Sequence, residues 1–173
     1  QLIKASFVGY SMGGRILLRF WEEFRQRIDH LFILSAHLGL SRPEEAQEKW
    51  GEILQKGNMD QLLLEWYAQP LFASLKKDSV QFQHLLEKRK KNNPYFLKQA
   101  LEGFSLKKQK QYQEEEGIYF FYGEHDVKYR ELYGQLKKKY EIKKSGHAIH
   151  LEAPLQIAEI IKREEDASLE SSV

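Results

Sequence analysis

Apolar residues change their spacing several times along this chain, and each change predicts an element. Ala5 to Tyr10 is a short apolar run with the length and composition of a buried strand. From Met12 to Arg25 the apolar positions Ile16, Leu17, Phe20, Trp21 and Phe24 recur at helical spacing and form one face. Leu31 to Ser35 is a second short apolar run. Strand, helix and strand joined by short connections predict a parallel sheet with a right-handed crossover.

Between Arg42 and Lys110 only helical periodicity remains, broken at Gly57-Asn58, Gln69-Pro70, Asn92-Asn93-Pro94 and Gly103. Pro43 suits a first helical turn. This stretch predicts a helical cap inserted between strands. Gly117 to Tyr122 predicts the next strand, Lys128 to Lys139 a helix, and Tyr140 to Lys143 a short strand. Ser145 to Pro154 reads as a loop and Leu155 to Lys162 as a closing helix. The predicted organisation is an α/β chain whose mostly parallel sheet, flanked by helices, is shared between residues 1–41 and 111–165. The cap occupies residues 42–110, and the polar, serine-rich tail 166–173 is expected to be disordered.

Composition narrows the class. With 173 residues, 42% hydrophobic and 30% charged, the chain is long enough to bury a core. No apolar run is long enough to span a bilayer, so no membrane partner is expected. A net charge of +2 gives no argument for nucleic acid, and the lysine-rich runs at 88–91, 107–110 and 137–139 read as solvated helix faces. There are no cysteines, which excludes disulfides, cysteine nucleophiles and thiolate metal sites and fits a reducing compartment such as the cytoplasm. The chain opens inside a strand-like run without an initiator methionine, so a preceding segment is expected and would be a partner of the first strand.

One stretch concentrates chemistry. Gly9-Tyr10-Ser11-Met12-Gly13 places a serine between a predicted strand and a predicted helix. That is the setting of a nucleophile elbow, where a strained turn projects Oγ at the carboxyl edge of a sheet. Glycines serve the turn and let helix and strand pack closely. The helix N-terminus then aims the Met12 N–H at an oxyanion. A serine of this kind needs a histidine to take its proton and a carboxylate to orient that histidine. The chain supplies both in the order this fold uses: Asp126 in Gly123-Glu124-His125-Asp126 and His147 in Ser145-Gly146-His147. Asp126 also suits a helix N-cap. His150 is a rival for the base, and His37 follows a predicted strand end.

These motifs resemble the α/β-hydrolase superfamily. Gly9-Tyr10-Ser11-Met12-Gly13-Gly14-Arg15, Ser35-Ala36-His37-Leu38-Gly39-Leu40, Trp66-Tyr67-Ala68-Gln69-Pro70-Leu71-Phe72-Ala73-Ser74-Leu75, Arg89 before Asn92-Asn93, and Gly146-His147-Ala148-Ile149-His150-Leu151-Glu152-Ala153-Pro154 narrow the likeness. Together they resemble the 2-succinyl-6-hydroxy-2,4-cyclohexadiene-1-carboxylate (SHCHC) synthases of menaquinone biosynthesis. The resemblance implies an α/β-hydrolase fold and a carbon–oxygen lyase that removes pyruvate from a substrate with three carboxylates, with no metal or organic cofactor. It implies Ser11, His147 and Asp126 as catalytic residues and the Met12 N–H as oxyanion donor. Arg15, Arg89, Tyr10, Trp66 and Phe72 would bind substrate. Lys49 stands where the family pattern leads us to expect an arginine, which keeps charge but loses the bidentate fork. Ser-His-Asp sets equally serve hydrolysis of small esters or thioesters. The upstream strands that supply a second oxyanion N–H have no match here, so a non-catalytic fragment is a further expectation.

Overall fold

A computed structural model describes residues 3–41 and 50–170. Four strands form one parallel sheet in the order β1-β2-β3-β4: Ala5–Tyr10, Ile28–Leu34, Ile118–Gly123 and Lys139–Ile142. The registers pair Tyr10 with Leu34, Leu34 with Phe121, and Phe121 with Tyr140. All strand C-termini therefore share one edge.

The burial of each strand follows from its place. β3 is buried at every position, as expected for a central parallel strand covered on both faces. On one face Phe32, Leu34, Tyr119, Phe121 and Ile142 pack with Ile149 and Ile157, which come from helices α7 (Ile149–Glu152) and α8 (Pro154–Glu170). On the other face lies α1 (Met12–Phe24), whose Leu18 and Trp21 are buried. Trp21 Nε1 donates to Glu115 at 3.0 Å, tying α1 to the approach of β3. β1 is the sheet's edge among the described residues and is the least buried strand.

Two compact units divide the chain: 1–37 with 114–173, and 38–113. The second unit is helical where described, with α2 (Trp50–Gln55), α3 (Met59–Ala68), α4 (Ser79–Lys90) and α5 (Pro94–Gly103). Its punctuation has clear causes. Asn58, Asp78 and Asn93 each accept a backbone N–H at 2.9 Å as N-caps of α3, α4 and α5. Pro94 then occupies a first-turn position where its missing N–H costs nothing.

Three expectations need correction. The helix predicted over 128–139 is only α6, Val127–Leu132. It ends in a turn closed by the Gly134 N–H donating to Glu131 O at 3.0 Å, after which the Glu114 carboxylate accepts the Lys137 and Lys138 N–H groups at 2.6 to 2.9 Å just before β4. The loop predicted over 145–154 contains α7. The expected disordered tail is helical through Glu170. Its serines hid a run of good helix formers, and Glu165 tethers the helix to β2 through His30 Nδ1 at 3.1 Å. Residues 171–173, and Pro43 within the predicted cap, lie outside the described residues.

Candidate active site

The shared carboxyl edge carries the candidate residues. β1 delivers the chain to Ser11, whose backbone sits at φ 51°, ψ −115°. That left-handed region is costly for a residue with a side chain and is held only when the surroundings demand it. Here they do. Ser11 N–H donates to Leu34 O at 2.8 Å, and Arg15 N–H donates to Ser11 O at 3.2 Å. The serine side chain caps no helix N–H, so Oγ is not consumed by the turn.

Glycines make this approach sterically feasible. A Cβ on Gly9 would lie 2.6 Å from Leu17 Cδ1 and 2.8 Å from Gly14 N. One on Gly14 would lie 2.6 Å from Ala36 Cβ and 2.9 Å from Gly9 O. Gly13, inside the motif, has open space around its Cα. The close packing of β1, α1 and the end of β2 therefore rests on Gly9 and Gly14.

Asp126 follows β3 and His147 follows β4. His147 Nδ1 lies 2.8 Å from Asp126 Oδ2, with the two residues 5% and 2% exposed. The other carboxylate oxygen, Oδ1, accepts the Tyr129 N–H at 3.3 Å as the N-cap of α6. Both readings of Asp126 hold at once, with one oxygen for each. A charge-assisted contact of this kind in a dry site holds an imidazole in one orientation. His150 makes a different contact: its ring lies 4.0 Å from that of Tyr10, which is itself 5.3 Å from His147.

Arg15 lies on the first turns of α1, half-buried. Burial pushes its pKa down, and the neighbouring Tyr129 pushes it back up. Tyr129 itself is buried, with its ring 5.0 Å from that of His147. Its phenol is pushed far above the ordinary value, first by burial and then by the Asp126 charge, so it stays protonated. Met12 is the first residue of α1, where backbone N–H groups have no intrahelical acceptor.

The remaining predicted residues belong to the second unit. Trp66 lies 4.9 Å from Trp50 and 6.4 Å from Phe72, ring to ring. Phe72 is buried against Tyr67 at 4.9 Å, the packing of a core side chain. Arg89 is exposed in the last turn of α4, and its charge acts on the Tyr67 phenol, whose pKa burial raises. Lys49 lies outside the described residues.

Sequence reasoning missed Tyr129, Tyr133 and Glu152 around this edge. Tyr133 is fully buried, and its hydroxyl donates to Ala36 O at 2.6 Å and accepts from Ala36 N at 2.8 Å. Nothing in the hydrophobic pattern separates such a tyrosine from a surface one. Tyr129 had a usable signal, because it stands three residues after the N-cap Asp126.

Comparison with known proteins bears on the fold and on the sequence likeness. No family model matches. SHCHC synthase of Klebsiella pneumoniae subsp. pneumoniae is 28% identical over 162 residues, covering 87% of this chain and 64% of that protein. The SHCHC synthase of Citrobacter koseri is 29% identical over 171 residues, covering 92% and 67%. The chain thus spans about 64% of the length of the first of these relatives. Among solved structures, MenH from S. aureus superposes with a TM-score of 0.77 at 21% identity, covering 91% of this chain and 66% of that one. An enol-lactonase from Burkholderia xenovorans LB400 gives 0.69 at 15% identity, covering 93% and 65%. The chain has the α/β-hydrolase fold, and within that fold its sequence resembles the SHCHC synthases.

Proposed function

We propose that this chain carries the catalytic edge of an SHCHC synthase-like lyase. The reaction removes pyruvate from 2-succinyl-5-enolpyruvyl-6-hydroxy-3-cyclohexene-1-carboxylate in menaquinone biosynthesis. The observation that carries the reading is the buried His147–Asp126 pair, 2.8 Å apart, on the same sheet edge as a strained serine. The likeness to curated SHCHC synthases selects this chemistry among those the edge could perform.

The chemistry follows from the residues. Ser11, with its proton passed to His147, takes the ring C–H proton beside the succinyl ketone. The electron pair forms an enolate, moves through the ring alkene and breaks the carbon–oxygen bond to the enolpyruvyl group. That group leaves as enolpyruvate, takes a proton and becomes pyruvate, and the ring is left as the conjugated diene. Asp126 orients the imidazole and stabilises its charged form. The Met12 N–H, at the positive end of α1, stabilises the enolate oxygen. Arg15 takes a substrate carboxylate, for which its planar fork is suited. Tyr10, the last residue of β1, adds a further proposed substrate contact. A small tricarboxylate is the expected partner, and a cytoplasmic setting fits a pathway of this kind. Among the described residues no helix is long and apolar enough to cross a membrane.

The test is a side-by-side assay. Pyruvate release from the precursor is followed by a coupled reaction, and hydrolysis of a panel of short-chain aryl esters and thioesters is followed in parallel. Pyruvate release far above ester turnover supports the lyase. Ester or thioester turnover without pyruvate would replace it with a serine hydrolase.

A further inference from the structure

The turn that presents His147 is held by side chains from several elements. Lys143 N–H donates to Gln156 Oε1 at 3.0 Å, and Lys144 N–H to Glu124 Oε2 at 2.8 Å. Lys144 itself has φ 57°. The Ser145 hydroxyl donates to Ile142 O at 2.8 Å, and Ser145 O accepts His125 N–H at 2.9 Å. Gly146 N–H donates to Glu152 Oε2 at 3.0 Å.

The Glu152 contact is part-buried, whereas the other two carboxyl and carboxamide contacts are exposed. Its second oxygen, Oε1, is buried and has no hydrogen-bond partner among the described residues. A buried carboxylate oxygen left in this way costs stability. Glu152 therefore makes a poor structural filler, and its value must lie in what Oε2 holds. Oε2 holds the peptide that enters Gly146. The peptide that leaves Gly146 is fixed from the other side, because a Cβ on Gly123 would lie 2.0 Å from Gly146 O. Both peptide planes before the imidazole are therefore set, one by Glu152 and one by the end of β3.

We propose that Glu152 is a positioning residue for His147, acting through the Gly146 N–H to aim the imidazole at the carboxyl edge. The proposal rests on the reading of His147 given above. A bond from a backbone donor to a carboxylate in a part-buried setting is strong enough for this task. A misplacement of the imidazole of about 1 Å costs on the order of a hundredfold in rate.

The test uses NMR and kinetics on the unaltered protein, Glu152→Gln and Glu152→Ala. In the unaltered protein the Gly146 amide should exchange slowly with solvent, and the His147 Nδ1 proton shared with Asp126 should give a resolved downfield resonance. Glu152→Gln keeps an acceptor oxygen and should retain both signatures and most of kcat. Glu152→Ala should lose the downfield resonance and lower kcat on the order of ten- to a hundredfold, with KM little changed. A rapidly exchanging Gly146 amide in the unaltered protein overturns the proposal even where Glu152→Ala fails to fold. So does a folded Glu152→Ala that keeps the resonance and kcat. If the unaltered protein releases no pyruvate, the lyase reading fails, and the NMR arms still decide the role of Glu152.

Discussion

Replacing Tyr133 by Phe should destabilise the protein through two backbone groups far from Tyr133 in sequence. The Tyr133 hydroxyl donates to Ala36 O at 2.6 Å and accepts from Ala36 N at 2.8 Å, and both residues are fully buried. It does for the exit of β2 what a neighbouring strand would do. Phenylalanine keeps the ring and its contact with Phe120 at 5.2 Å, so little packing is lost. What is lost is the hydroxyl that, among the described residues, serves both a buried N–H and a buried C=O at Ala36. Each orphaned group costs about 1–3 kcal/mol, and partial relaxation brings the expected total to about 2–4 kcal/mol. Urea unfolding, followed by tryptophan fluorescence, reads this as a lower midpoint at unchanged slope. The exposed Tyr95→Phe serves as the control and should change stability by less than about 0.5 kcal/mol. A Tyr133→Phe variant within about 0.5 kcal/mol of the parent would refute the reasoning and show that the Ala36 groups find other partners.

Other outcomes follow from the same geometry. Gly14→Ala should lower stability by about 1–3 kcal/mol because its Cβ meets Ala36 and Gly9 backbone, whereas Gly13→Ala should be neutral or stabilising by up to about 1 kcal/mol; thermal melts compare the pair. Tyr129 and Tyr133 have phenol pKa values raised by burial, so the folded state favours the neutral form. Their contribution is complete below the unfolded value of about 10 and is lost as pH climbs from there towards the folded values, so Tm should fall steeply above about pH 10. Asp126→Asn keeps an oxygen for the α6 N-cap but withdraws the carboxylate from His147. It should leave Tm nearly unchanged while lowering kcat for pyruvate release on the order of 10³- to 10⁴-fold.

Much of this was legible from residue order. Short apolar runs located β1, β2 and β3 to within a few residues, and β2 and β3, buried along most of their length, leave the continuous apolar signature of covered parallel strands. Gly-x-Ser-x-Gly between a strand and a helix placed Ser11 on a strained turn, which the positive φ bears out. The breaks at Asn58, Gln69, Asn93 and Gly103 match helix ends because each is capping or turn chemistry written locally. What was hidden depends on partners distant in sequence. Glu114 holds the Lys137 and Lys138 N–H groups at the entry to β4 from more than twenty residues away. Tyr133 serves Ala36 across 97 residues. The motif glycines are equivalent as letters, yet the steric demand falls on Gly9 and Gly14, because only the folded neighbours decide which Cα is crowded.

The most direct measurement is pyruvate release from the SHCHC precursor by the purified protein beside its Ser11→Ala variant. The account predicts rapid release by the parent and, for a folded Ser11→Ala, a fall on the order of 10³-fold or more, as expected when the base is removed. Release that survives the substitution undiminished would contradict the assignment of Ser11 as base, and no release by the folded parent would contradict the lyase itself.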